Sequence, residues 1–176
     1  HMHMMESLTK VCAVTGDAAH RDRLADVIGL LTGKMLDSVH GLGIQQFSLD
    51  FEPRPAIRFD VEWGRDEEPE TGSIPVSITS YGHNVEFAWL LLLAADVLGI
   101  PHQQYEDIVR AQSEHCLRYG IDGEHGGVYI DGPVDAPTAN GHKQFWQQAE
   151  VLIGTLAAVE MFDDDRYWNA FLNVYD

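Results

Sequence analysis

Basic residues are scarce in this chain: 11 Lys and Arg stand against 28 Asp and Glu, a formal charge of −17. A surface of that sign repels phosphate backbones and anionic lipid heads, which argues against nucleic acid and membranes as partners. Long apolar runs are missing too, since none reaches the ~18 residues of a spanning helix, and the first residues lack the basic-then-apolar layout of a secretion signal. A soluble, cytoplasmic protein is expected. Cysteine is nearly absent, and Cys12 and Cys116 lie far apart with no CxxC or short-spaced pair, so both are expected to be reduced and buried rather than bridged or zinc-bound.

Familiar catalytic motifs are missing as well. There is no GxSxG for a nucleophile elbow and no HExxH for zinc, and the Gly-rich Gly123 to Gly127 (GEHGG) lacks the strand-then-helix context of a phosphate loop. Cys116 adjoins His115, but neighbours on a helix point about 100° apart and do not form a dyad. A zinc set can be assembled only from His1, His3, His83 and Glu86, without the dense ligand spacing such sites show. No metal or cofactor is implied.

What is present is helical pattern. At 176 residues and 45% hydrophobic content the chain can bury one core, and a single domain over 1–176 is expected. Helical spacing runs over Met4–Val14, stops at Thr15-Gly16-Asp17, and resumes over Arg21–Leu36 with Leu24, Val27, Ile28 and Leu31 on one side. It fails from Gly41 to Thr79. There GIQQFSLDF (Gly43–Phe51) and AIRFDVEW (Ala56–Trp63) alternate like strands around Pro53-Arg54-Pro55, predicting a short β-hairpin excursion near 44–62, followed by an acidic surface loop over Arg65–Ser73. Helices are predicted again over His83–Leu98, Gln103–Tyr119, Phe145–Phe162 and from Asp164, with a long Gly-rich loop over Gly120–His142. Six helices in three pairs predict an all-α array of hairpins, closed as a ring or open as a solenoid.

Polar groups meet helix starts in three places. His83, Glu86 and Trp89 sit three residues apart at the start of SYGHNVEFAWLLLLAADVLG. On their own they also fit a capping histidine, an exposed first-turn acid and a core indole. Trp146 and Glu150 are four apart on one helix face, and an acid inside AEVLIGTLAAV is costly to bury without a partner. The third place is His1-Met2-His3, whose first two residues have the form of a cloning remnant.

Three segments in order, SYGHNVEFAWLL, DGEHGGVYIDG and KQFWQQAEVLIG, carry a resemblance to the N-acylglucosamine 2-epimerase family, within it to the cellobiose and mannose 2-epimerase branch. HMHMMESLTKV is similar to the latter part of that family's Asn-x-His-x-His stretch and the helix after it. The resemblance implies an (α/α)6 barrel, of which about half the ring is encoded, beginning about halfway along a family member and ending shortly before its C-terminus. It implies epimerisation at C2 of a reducing mono- or disaccharide by histidine acid/base chemistry, or the related aldose–ketose isomerisation. His83, Glu86 and Glu150 are the implied catalytic residues, and His3, Trp89 and Trp146 the implied substrate-binding ones. The family's second acid/base histidine and a polarising arginine have no counterpart here, so the chain alone is expected to be inactive or nearly so. Phe145 stands where the family usually has a first tryptophan. A glycoside hydrolase on the same ring, using Glu86 and Glu150, and a non-catalytic sugar-binding role are the alternatives. Half a ring leaves an apolar seam, which predicts either self-association across it or poor solubility.

Overall fold

A computed structural model describes residues 2–57 and 73–175, and among these the chain is mainly helical. The helices are α1 (Met2–Thr15), α2 (Ala18–Lys34), α3 (Tyr81–Leu98), α4 (Glu106–His115), α5 (Phe145–Phe162) and α6 (Asp165–Tyr175). Each odd-numbered helix packs against the even-numbered one that follows it, and α3 also packs against both α1 and α5. The result is a run of three helical hairpins with α1, α3 and α5 as consecutive neighbours. This is a sector of an α/α ring, and the half-ring picture fits it.

Local signals set the helix ends. Gly16 adopts φ 64 after α1, and the Asp17 carboxylate accepts from the Ala19 amide at 2.7 Å to start α2. Gly99, at φ 72, closes α3 in the left-handed conformation, while the Arg21 guanidinium donates to the carbonyls of Val97 and Leu98 at 2.7 and 2.8 Å. Buried positions repeat at helical spacing: Met5, Thr9 and Cys12 in α1, Leu24, Ile28 and Leu31 in α2. They meet Phe87, Leu90, Leu91, Ala94 and Ala95 of α3 in the main core.

The structure departs from the sequence pattern in two regions. The single helix expected over Gln103–Tyr119 is divided into a 3₁₀ turn (His102–Tyr105), α4 and a π-turn (Cys116–Gly120), the last closed by Ile121 N donating to the Cys116 carbonyl. The widened turn lets Gly120 pack on the Tyr81 ring, where a Cβ would lie 2.8 Å from Cγ. In the excursion, Phe47 and Pro53 form an antiparallel bridge around a loop held by the Ser48 hydroxyl, which accepts from the amides of Asp50 and Glu52. Its second segment supplies β1 (Ala56–Ile57), but β1 pairs with β2 (Ser73–Ile74) rather than with Gly43–Phe51, where polar side-chain bonding to the backbone competes with a ladder. The rest of AIRFDVEW and the acidic loop up to residue 72 lie outside the described residues.

A second small sheet matters more for function. Strand β3 (Ile78–Ser80) pairs antiparallel with β4 (Asp131–Pro133) from the Gly-rich loop and delivers the chain directly into α3. Cys12 and Cys116 are both free and buried. No helix among the described residues is long and apolar enough to cross a membrane.

Apolar side chains are left uncovered along α5 and α6. Ile153, Leu156, Trp168 and Leu172 are all more than a third exposed, and the rings of Trp168, Phe171 and Tyr175 stack in sequence at 5.1 and 5.9 Å. For this chain in isolation, sedimentation velocity is expected to show a weight-average coefficient that rises with concentration. A constant monomer value would contradict that.

Candidate active site

The site starts from how α3 and α5 are forced together. Ser80 is the N-cap of α3 and its hydroxyl accepts from the His83 amide at 3.3 Å. His83 is therefore capped rather than capping. The Gln147 side chain, 1% exposed, accepts from the Gly82 amide at 3.2 Å, and a Cβ on Gly82 would lie 2.6 Å from Gln147 Cγ. About two turns further along α5, a Cβ on Gly154 would lie 2.1 Å from Val85 Cγ1. Only glycine admits this approach at either position.

The close approach joins the two polar segments. The His83 and Trp146 rings lie 4.6 Å apart between centroids at 52°, and the Trp89 indole donates to Glu150 Oε2 at 3.0 Å. Glu150 thus has the partner that an acid in an apolar helix requires. Trp146 sends its own N–H to Gln144 Oε1 at 2.9 Å, leaving its ring as a face. From α1, His3 Nδ1 lies 3.0 Å from Glu6 Oε2 and 3.7 Å from Glu86 Oε1.

Glu86 is not the exposed first-turn acid that an isolated reading allows. It is 4% exposed, and its Oε2 is buried with no hydrogen-bond partner. Burial, reinforced by repulsion from Glu150, pushes its pKa up to about 7, while His3 acts in the opposite direction and Glu6 adds to the rise. His83 keeps part of its surface exposed, yet desolvation of its ring by the surrounding protein, with repulsion from His3, lowers its pKa to about 4. Near neutral pH the site therefore holds a neutral imidazole and a carboxyl group poised between its two forms.

These opposed shifts have a measurable consequence for folding. A carboxyl with a raised folded pKa binds its proton more tightly in the native state, so Glu86 makes stability fall as pH rises from about 4.5 to 7. A histidine with a lowered folded pKa does the reverse, so His83 makes stability rise with pH between about 4 and 6.5. Over the shared window the slopes oppose each other. Glu86→Gln is expected to expose the rising slope and His83→Gln the falling one, as read from urea midpoints across that range. Parallel profiles for the two variants would contradict these assignments.

A cleft of about 280 Å³ opens beside His83, and His3, Thr79, Ser80, Asn84 and Phe87 are among its lining residues. Glu86, Trp89, Trp146 and Glu150 do not line it, so His83 stands between the cleft and the aromatic and carboxylate wall. Asn84 is 2% exposed; its Oδ1 accepts from the Gly43 amide at 2.8 Å and its Nδ2 donates to Thr79 Oγ1 at 2.9 Å, while that hydroxyl donates to the Gly43 carbonyl. This ties the loop after α2 to the start of α3. The Gly-rich loop is tied to α5 by Gln148, which accepts from the Val128 amide at 2.7 Å and donates to its carbonyl at 2.9 Å. Lys143 pairs with Asp122 at 2.6 Å and donates to the Gly126 carbonyl, and together with two backbone amides it holds the Asp122 carboxyl well below the usual range.

His115 and Cys116 make no dyad. The His115 ring stacks on Tyr81 and its Nε2 lies 3.1 Å from the Pro133 carbonyl, while burial pushes the Cys116 thiol up to about 12. The zinc set does not assemble either: His83 Nδ1 lies 2.9 Å from Ser80 Oγ, His1 is outside the described residues, and among those described no three metal-ligating side chains converge.

Comparison with known proteins gives this geometry its context. The profile of the N-acylglucosamine 2-epimerase (GlcNAc 2-epimerase) family matches residues 1–176. Cellobiose 2-epimerase of Bacteroides fragilis is 29% identical over 166 residues, which cover 93% of this chain and 36% of that protein. Among solved structures, cellobiose 2-epimerase from Bacillus thermoamylovorans B4167 superposes with a TM-score of 0.77 at 20% identity, over 100% of this chain and 39% of that one. A D-mannose isomerase superposes equally well at 0.77 and 20%, over 99% and 42%. The chain thus spans little more than a third of the length of these relatives, and the structural likenesses establish the fold.

Proposed function

The chain belongs to the N-acylglucosamine 2-epimerase family, and from that premise we propose that its residues form one wall of a site that moves the C2 proton of a reducing sugar. The observation that carries the reading is His83, a neutral imidazole tilted against the Trp146 ring within one turn of Glu86, a carboxyl whose Oε2 has no partner among the described residues. A sugar offers flat C–H faces to an indole and hydroxyls to a carboxylate.

The chemistry starts from the open-chain aldose. A base removes the proton on C2, the C–H electron pair forms the C1=C2 bond, and O1 takes the charge of an enediolate. Return of a proton to the opposite face of C2 gives the epimer; return to C1, with the O2 proton passing to O1 as C2=O forms, gives the ketose. Histidine is a common proton-transfer group, and His83, with its pKa lowered, stands near neutral pH in the uncharged form that can accept a proton. His83 serves as one acid/base group. Glu86 and Glu150 hold sugar hydroxyls, Trp89 orients Glu150, Trp146 stacks on the sugar ring and His3 completes the wall from α1. Delivery to the opposite face requires a second group, which in a protein of the relatives' full length comes from outside this segment.

Epimerisation of glucose and mannose or of cellobiose is the principal reading, with aldose–ketose isomerisation sharing every step up to the enediolate. Glycoside hydrolysis is the alternative reading, in which Glu86 and Glu150 would divide the general-acid and the base or nucleophile roles. In a protein of full family length carrying these residues, mannose, glucose or cellobiose is expected to yield its C2 epimer or ketose by chromatography, with no reducing end released from a chromogenic glucoside. Release of that end without interconversion would overturn the proposal.

A further inference from the structure

We infer that Ser80 is the positioning residue that holds the proton of neutral His83 on Nδ1, leaving Nε2 bare as the proton acceptor. The assignment deepens the acid/base reading of His83 and rests on it. Ser80 Oγ lies 2.9 Å from His83 Nδ1 and 3.3 Å from the His83 backbone nitrogen. A serine hydroxyl has two acceptor lone pairs. The backbone N–H has only a donor to offer and uses one of them. An Nδ1–H uses the other and directs the hydroxyl hydrogen outward, where Ser80 lines the cleft.

Among the described residues, the Ser80 hydroxyl is the hydrogen-bond partner of the His83 ring. Trp146 sends its N–H to Gln144, and Asn84 and Thr79 bond each other and Gly43. Ser80 is itself 8% exposed and anchored on both sides, by the β3–β4 ladder opposite Asp131 and by its place at the head of α3. A base that gains a proton at Nε2 becomes an imidazolium with Nδ1–H still in place. The same serine oxygen therefore accepts from the ring before and after transfer, and no heavy atom needs to move. Unlike a carboxylate at this position, a hydroxyl orients the ring without stabilising the cation strongly.

The test is nitrogen-15 NMR of this chain without sugar, with His83 assigned among the nine histidines by its loss in His83→Asn. Two-bond ring correlations above pH 7 are expected to show His83 mainly as the Nδ1–H tautomer. Ser80→Ala should lose that dominance and Ser80→Thr should restore it, an outcome that helix capping alone does not produce. If Ser80→Ala does not fold, Ser80→Asp retains a capping oxygen, and its carboxylate should raise the His83 pKa above that of the parent. A parent tautomer protonated on Nε2, a tautomer indifferent to Ser80→Ala, or an unchanged titration in Ser80→Asp each overturns the assignment. Because no sugar is present, these outcomes are separate from whether the full-length protein epimerises anything.

Discussion

Replacing His83 by alanine, in a protein of full family length, is expected to lower C2 proton exchange by about 10²- to 10⁴-fold, the usual contribution of a positioned acid/base group. The fold should survive. His83 is solvent-accessible, and its backbone amide keeps the Ser80 cap whichever side chain it carries. On the proposed reading the loss should fall on kcat, since there the imidazole is assigned to the proton in flight and Trp146 and the carboxylates to holding the sugar. A histidine that merely backed the Trp146 ring would show the opposite division, with KM raised and kcat retained. Partial recovery with added imidazole would further separate lost chemistry from lost packing.

The largest stability effect is expected at Gly154. Its Cβ alone would lie 2.1 Å from Val85 Cγ1 and 3.1 Å from the Val85 carbonyl. Valine is stiff about its first torsion, so neither partner can turn aside cheaply. Gly154→Val is therefore expected to destabilise by roughly 3 kcal/mol, the upper part of the overpacking range. For a chain of this size that is a fall in Tm of roughly 6–12 °C by differential scanning calorimetry. Val85→Ala should recover part of it by removing the atom in the way. Spreading α3 from α5 also pulls Trp89 from Glu150 and His83 from Trp146, so the same variant should weaken sugar binding.

How much of this was legible in the residues differs between element and contact. The bounds of α5, Phe145–Phe162, follow directly from periodicity, because eighteen residues of helical apolar spacing admit few other readings. The start of α3 is less plain: periodicity begins it at His83, whereas the Ser80 hydroxyl begins it at Tyr81. The excursion was the weakest part, since alternation over Gly43–Phe51 does not say which strand will pair with it. In the candidate site, the sequence marks His83, Glu86, Trp89, Trp146 and Glu150 as polar and aromatic groups at two helix starts, the resemblance assigns them roles, and the structure brings the two segments together. Gln147, Asn84 and Ser80 were missed. Each works through a contact with the backbone or side chain of another segment, or through a cap one turn away, and none has an unusual residue type to mark it. A buried asparagine inside an apolar helix was the one available signal, the same kind that singled out Glu150.

The central claim is that these residues serve a C2 proton transfer, and solvent deuterium reports it most directly. A protein of full family length carrying this sequence would be incubated with mannose, glucose and cellobiose in heavy water, and C2 followed by NMR. Deuterium should enter C2 of at least one sugar, and His83→Ala should suppress its entry. No deuterium at C2 of any of the three, from a folded protein, would contradict the account.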